Sequence, residues 1–372
     1  NRECLDLEPQ KKPAFSTVLF YGKLKIDGKW ASNHSRRLIM DGTLDLSFEA
    51  FQDLDNIPTA SGRGWLASNL NKDDWTVKMS DDGNKEIVSM INEMMAKPLP
   101  TLLRKPSQFD IPELANIYQK AKNICDHGVG FAVIDRLPLD DFAIEQMVDV
   151  YWTLGQYMGQ NVAQKWDGTM VYDVTDTGKK FGYGVRGSAT SVELVFHTDN
   201  AFGVAVPDYV GLLCKHPAKA GGLSRFCSLY TVHERMEDKY PSELRRLYQP
   251  VHFDRQAEHA SDKAKTSLAP MFTWRDNKLR CRANSSLVRK GYQVGGHEMD
   301  NLLQNALDAI DEVTASEDLW IEAPLTRGDI QYLNNHELGH YRSDFIDYDD
   351  QSKKRHLFRL WHRVSGEIHY DG

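Results

Sequence analysis

Glu193-Leu194-Val195-Phe196-His197-Thr198-Asp199-Asn200 is the stretch on which the reading of this chain turns. In an extended strand, residues two apart project to the same face. His197 and Asp199 therefore present an imidazole and a carboxylate side by side, with Thr198 turned away. Far downstream lies Asn334-Asn335-His336-Glu337-Leu338-Gly339-His340-Tyr341-Arg342, followed by the run from Arg355 to Trp361. A second imidazole brought up by the fold, such as that of His340, completes a face of two His and one carboxylate. Such a face leaves coordination positions open and suits a non-haem Fe(II) centre that activates O₂. An H-x-D triplet alone is equally a packed strand-end His followed by a turn Asp, so the surrounding sequence has to decide.

Composition narrows the choice. A chain of 372 residues and 42.5 kDa can bury a substantial core. Its 41% hydrophobic and 26% charged residues are those of an ordinary globular protein. A net charge of −8 argues against general affinity for nucleic acid, which needs a basic footprint. No apolar stretch approaches the length of a membrane span. The five cysteines (Cys4, Cys125, Cys214, Cys227 and Cys281) are scattered and lack C-x-x-C spacing. With no apolar signal core at the N-terminus, they predict reduced thiols and a cytoplasmic setting. Asn33-His34-Ser35 and Asn284-Ser285-Ser286 fit the glycosylation pattern only by accident on this reading.

Along the chain, Leu24 to Trp30 and Leu38 to Leu44 each place Asp-Gly between alternating apolar residues, which predicts two hairpins. Residues 50 to 80 read as irregular. A helix is expected over Lys85 to Met95, with Ile87, Met90, Ile91 and Met94 on one face. Asp110-Ile111-Pro112-Glu113 reads as a capping box that opens a second helix ending at Gly128. Phe131 to Leu137 reads as a strand, and a helix carrying Ile144, Met147, Val148, Tyr151 and Leu154 follows. Glu298 to Ile310 reads as a further helix, and Gly328 to Leu333 and Leu357 to Val364 as strands. The pattern predicts an α+β, β-rich fold, with residues 1–95 as an N-terminal β-rich extension packed on a domain of residues 96–372.

From about residue 105 to 364 the chain resembles the taurine dioxygenase family of 2-oxoglutarate-dependent Fe(II) oxygenases, in the manner of its divergent, specialised-metabolism members. The matching pieces stand in the family's order: the H-x-D run, Ala220-Gly221-Gly222-Leu223-Ser224, Gly328-Asp329-Ile330 and Arg355-x-x-x-Arg359. The resemblance implies a double-stranded β-helix (jelly roll) core with flanking helices. It implies Fe(II) held by His197, Asp199 and His340, with 2-oxoglutarate and O₂ at the remaining positions. Because Asp199 is present, halogenation, for which relatives replace the carboxylate by a small residue, is disfavoured.

On the same resemblance, Arg355, fifteen residues after His340, grips the distal carboxylate of 2-oxoglutarate, since a guanidinium matches a carboxylate bidentately. Ser224 donates its hydroxyl to that carboxylate. Arg359 takes the anionic end of the substrate, and Arg186 lines the pocket. Lys354 reads as solvated surface, and His356 and His362 fall on the opposite face of their strand. The implied reaction oxidises a C–H bond of a small organic substrate, one bearing a carboxylate on the hint of Arg359. 2-Oxoglutarate is decarboxylated to succinate and CO₂. Hydroxylation is the expected outcome, with desaturation or ring closure as variants. The sequence leaves a homo-oligomer open.

Competing patterns are present. His336-Glu337-x-x-His340 is a literal H-E-x-x-H, which reads as a zinc-dependent hydrolase with Glu337 as general base. That motif needs a helix to bring both His to one face, and the Asn334-Asn335 pair makes a poor helix interior. Positions 343 and 346 are Ser and Ile, where the extended motif needs Gly and His. In the oxygenase reading Glu337 occupies a loop with its charge solvated. Gly182 to Gly187 matches G-x-G-x-x-G but has no βαβ unit around it. A non-catalytic binder of 2-oxoglutarate is the remaining class, and it is disfavoured because every ligand position is filled by a competent residue.

Overall fold

Near-continuous burial along Phe131–Asp135, Tyr209–His216, Ile330–Asn334 and His356–Arg363, covered on both faces, makes these segments the centre of a seven-stranded sheet. The computed structural model describes residues 42–59, 62–180, 182, 184–259 and 263–370, and the backbone of three short strands before them. The sheet runs Thr76–Lys78, Phe131–Asp135, Ile330–Asn334, Tyr209–His216, His356–Arg363, Gln160–Val162, and Tyr172–Val174 also pairs with His356–Arg363. Its pairings are antiparallel except that of Thr76–Lys78 with Phe131–Asp135. A four-stranded antiparallel sheet follows the order Trp320–Glu322, Ser224–Ser228, Leu338–Arg342, Leu194–His197.

The two sheets face each other. Phe131, Val133, Val210, Leu333 and Trp361 of the larger share one apolar cluster with Phe226 and Leu338 of the smaller. The rings of Phe131 and Phe226 stack with centroids 4.2 Å apart.

Seven α-helices occur among the described residues: α1 Asp81–Ala96, α2 Pro112–His127, α3 Ile144–Gly155, α4 Leu229–Lys239, α5 Pro241–Leu247, α6 Ser285–Gly295 and α7 Asn301–Ala315. Helices α1, α2 and α3 cover the outer face of the large sheet, where Ile87, Leu114, Tyr118, Met147 and Tyr151 pack against Tyr332 and Leu360. Helices α4 to α7 and the sheet of Pro250–Asp254, Thr266–Pro270, Thr43–Asp45 and Ile39–Met40 build a second core around Tyr248, Phe253, Phe272 and Leu307. No helix among the described residues is long and apolar enough to cross a membrane.

The two Asp-Gly hairpins form where the sequence places them. Lys25 pairs with Trp30 and Ile26 with Lys29, and Ile39 pairs with Leu44 and Met40 with Thr43. Gly42 takes φ +76°, the left-handed conformation that this tight turn requires. The first hairpin lies in a unit of its own, Asn1–Arg37, and the second belongs to the unit Leu38–Gly372. Residues 38–95, grouped in the sequence with the extension, are integrated in that larger unit. Thr76–Lys78 joins the main sheet, and Met90 and Ile91 of α1 are fully buried in its core.

The expected capping box at Asp110 does not form. Pro112 opens α2 without a side-chain cap from its own segment. Instead the Glu86 carboxylate on α1 accepts the backbone N–H groups of Glu113 and Leu114 at 3.0 and 2.8 Å. A neighbouring helix thus supplies the acceptor that the free N–H groups of a helix start need. Helix α7 begins three residues later than expected, where Asp300 accepts the Leu303 N–H at 2.7 Å.

Candidate metal centre

His197 ends its strand directly opposite His340 in the neighbouring strand, so their side chains share one face. The rings lie 4.2 Å apart, centroid to centroid. Asp199 sits just past the strand end. Its Oδ1 is 3.7 Å from Nε2 of His197 and 3.6 Å from Nε2 of His340. One donor atom from each of the three lies within 4.8 Å of the others. Thr198 turns inward, as alternation requires, and its backbone N–H donates to the Ala283 carbonyl at 2.8 Å.

What surrounds these residues suits them to hold a metal ion. Nδ1 of His197 meets the Val195 carbonyl at 2.7 Å, which places its proton there and leaves Nε2 with a free lone pair. Asp199 Oδ2 accepts hydrogen bonds from Nη1 of Arg359 at 2.9 Å and Nε1 of Trp361 at 2.8 Å. The other oxygen is left facing the histidines. Burial opposes ionisation of Asp199, but the Arg359 guanidinium and the two histidines outweigh it and hold the carboxyl well below its usual range. Burial and the neighbouring His197 push His340 down to about 4, so it is a neutral imidazole at pH 7. This donor set fits Fe(II): two imidazoles and one carboxylate on one side, with a cavity on the other.

Asn335 fixes Asp199 from behind. Its Oδ1 accepts the Asp199 backbone N–H at 2.8 Å, and its Nδ2 donates to the carbonyls of Asp199 and Pro207 at 3.0 and 3.1 Å.

The cavity, of about 270 Å³, reaches from this cluster to Ser224, Arg342 and Arg355, and is also lined by Arg186 and Arg359. Arg355 is buried, with its Cζ 5.1 Å from the Phe345 ring and its Nη1 without a protein acceptor. Burial lowers its guanidinium to about 10. Gly222 makes room for it, since a Cβ there would stand 2.9 Å from Arg355 Nε. Arg342 is buried on the same wall, lowered to about 9 by burial and by the charge of Arg355.

The other two arginines are already matched. Arg186 donates Nε to Glu258 at 2.6 Å and Nη2 to the Gln164 carbonyl at 2.8 Å. Arg359 spends Nη1 on Asp199 and Nε on the Gln164 side chain, so what it offers a ligand is its remaining nitrogen.

The zinc-hydrolase constellation does not assemble. His336 and Glu337 lie in the turn between two strands, and His340 lies in the second strand, so no helix brings them to one face. His336 Nε2 instead meets Asp208 Oδ1 at 3.0 Å. Glu337 is buried, contrary to the expectation of a solvated charge, and is paired with Arg63. A turn folded back onto the protein hides its carboxylate, and Arg63 supplies the counter-charge that this burial demands. His356 bonds Asp173 and His362 is fully buried, both on the face away from Arg359. Lys354 is half-buried rather than fully solvated. Asn284 caps α6 by accepting the Leu287 N–H at 3.0 Å, which commits the side chain of that sequon to the helix. Gly182 to Gly187 leads from a loop into the 3₁₀ turn Gly187–Ala189.

Four residues of the site were not singled out from the sequence: Arg342, Trp361, Asn335 and Gln164. The first two carry a legible signal, since each lies two residues beyond a residue already picked out in a strand. Asn335 and Gln164 become visible only through tertiary contacts.

The model of the "Taurine catabolism dioxygenase TauD, TfdA family" matches residues 96–361, well over half of the chain. The protein belongs to this family, and is therefore a 2-oxoglutarate-dependent dioxygenase using Fe(II), 2-oxoglutarate and O₂. It is 24% identical over 300 residues to "FR-33289 synthase" of Streptomyces rubellomurinus (strain ATCC 31215), covering 78% of this chain and 85% of that protein. It is 22% identical over 314 residues to "Taurine hydroxylase-like protein SAT17" of Stachybotrys chartarum (strain CBS 109288 / IBT 7711), covering 80% and 77%. Among solved structures, asparagine oxygenase with Fe(II), 2S,3S-3-hydroxyasparagine and succinate shares the fold at TM-score 0.61 and 17% identity, covering 78% of this chain and 94% of that one. The oxygenase OrfP with Fe and α-ketoglutaric acid shares it at TM-score 0.56 and 14% identity, with the same coverage.

Proposed function

We propose that this dioxygenase hydroxylates an unactivated C–H bond of a small organic substrate. The reaction consumes substrate, O₂ and 2-oxoglutarate and yields hydroxylated product, succinate and CO₂. The observation that carries this reading is the His197, Asp199 and His340 face, opening onto a cavity also lined by two buried arginines, Arg342 and Arg355, that form no ion pair with a carboxylate among the described residues. The asparagine oxygenase and an OrfP structure hold hydroxylated amino acids, 3-hydroxyasparagine and (3S)-hydroxy-L-Arg, which supports hydroxylation over desaturation or ring closure. The two facing sheets support a double-stranded β-helix core.

His197, Asp199 and His340 hold Fe(II), which supplies the centre where 2-oxoglutarate is decarboxylated and O₂ is activated. Arg355 and Ser224 bind the distal carboxylate of 2-oxoglutarate. Arg359 and Trp361 orient Asp199, and the remaining nitrogen of Arg359, with Arg186, gives the cavity a positive wall suited to a substrate carboxylate or other anion. The buried, unpaired thiols of Cys125, Cys214, Cys227 and Cys281 support a reducing, cytoplasmic location.

A succinate-release screen against amino acids and other small anionic metabolites tests this function, with product mass separating hydroxylation from desaturation and ring closure. Absence of succinate with every substrate, and of a visible charge-transfer band on anaerobic addition of Fe(II) and 2-oxoglutarate, sinks the reading.

A further inference from the structure

Arg342 lies two residues beyond His340 in the strand Leu338–Arg342, so both side chains project to the same face. In the register of that sheet Arg342 stands directly opposite Ser224, which brings hydroxyl and guanidinium onto the same wall. The Phe345 ring lies 5.0 Å from the Cζ of Arg342 and 5.1 Å from that of Arg355, so one aromatic ring supports both guanidinium groups. Two carbonyls hold Arg342 in place: its Nη2 donates to Thr190 at 3.0 Å and also to Val192. Nε and Nη1 are buried with no acceptor, as is Nη1 of Arg355. Among the described residues neither guanidinium has a carboxylate within 4.0 Å. The nearby Asp347 accepts the backbone N–H of Arg355, not its side chain.

Asp176 and Asp347 act on Arg342 and Arg355 only through space, and burying two like charges side by side with no carboxylate in contact is unfavourable unless a ligand brings an anion. We propose that Arg342 is a second guanidinium for the distal carboxylate of 2-oxoglutarate, closing on it together with Arg355 and Ser224. The inference rests on the oxygenase reading and extends its co-substrate site. A carboxylate has about four acceptor positions, enough for two guanidinium groups and a hydroxyl. The arrangement makes the enzyme selective for a dicarboxylic oxo acid over one that ends in a methyl group.

The test is calorimetric titration of 2-oxoglutarate and of 2-oxovalerate, which lacks the distal carboxylate, into the full-length protein with Fe(II) and without O₂. R342Q should weaken 2-oxoglutarate by about 10- to 100-fold while leaving 2-oxovalerate within about threefold. R342K, which retains the charge but not the planar fork, should lower the same selectivity ratio by a smaller factor and carries the test if R342Q does not fold. An unchanged ratio in both variants, or equal weakening of both acids with a lower melting temperature, overturns the proposal and makes Arg342 part of the scaffold. A wild type that binds neither acid overturns the oxygenase reading itself, and the role of Arg342 with it.

Discussion

The two ends of the cavity are built on opposite rules. At the metal end, Asp199 Oδ2 has two donors, its backbone N–H and carbonyl are bound by Asn335, and Nδ1 of His197 is satisfied by Val195. What is left over is the face of Nε2 atoms and Asp199 Oδ1, together with the buried Nδ1 of His340. At the other end, Arg342 and Arg355 keep buried donors that no acceptor among the described residues receives. On the proposed reading the first end is largely fixed in advance by protein groups, as a metal site requires, because it depends on ligand geometry within narrow limits. The second, on the same reading, would be completed by a carboxylate that supplies the acceptors and the charge. Tolerance to mutation should differ accordingly: changes at the metal end alter geometry, and changes at the other end alter affinity.

The largest effect is expected from removing a ligand. His197→Ala, Asp199→Ala or His340→Ala should abolish stoichiometric iron binding and succinate formation, measured by metal content and turnover. Full retention of both in any of these variants breaks the metal half of the comparison.

Next comes Arg355→Gln, which should leave iron content unchanged and weaken 2-oxoglutarate by about 2–4 kcal/mol in anaerobic titration. Loss of iron instead would mean that the two ends are not separable.

Trp361→Phe deletes one of the two donors to Asp199 Oδ2 while keeping the ring. It should lower iron affinity by about 10- to 100-fold, as loss of an outer-shell hydrogen bond typically does. Arg359→Gln should act in the same direction. If Arg359→Gln leaves iron affinity intact and raises only the Michaelis constant of the prime substrate, then Arg359 serves the substrate, as the resemblance first implied.

Outside the cavity, burial alone holds neutral His233 at about 4, and burial is the main cause holding His362 at about 3. Both values lie below that of an unfolded His near 6.5, so the unfolded chain takes up protons first. Stability should therefore be unaffected by these groups above pH 6.5 and fall as the pH drops from 6.5 towards 4. The loss is of order 2 kcal/mol per histidine at pH 4.5. Denaturant titrations between pH 7 and 4.5 measure this, and a flat profile contradicts it.

Glu337→Gln should have the smallest effect on chemistry. It removes the buried partner of Arg63, whose side chain is 29% exposed and can turn to water. A stability loss of about 1–2 kcal/mol with near-normal succinate formation is expected. Loss of turnover with iron retained would return Glu337 to the catalytic machinery.

Sequence alone settled the period-2 logic of this protein. His197 and Asp199 are set two apart, the Asp-Gly turns fix their hairpins by local backbone preference, and the His336 to His340 motif lies in a segment unsuited to a helix. These features depend on neighbours in the chain, and so they can be read from it. The cross-strand pairing of His197 with His340, 143 residues apart, came only with the register of two strands distant in sequence. Long-range contacts also decided that Glu86 caps α2, that Arg63 neutralises Glu337, and that Arg359 serves Asp199 before any substrate. A residue's type states what it can bond, but its partner depends on which segments the folded sheets bring within reach of it.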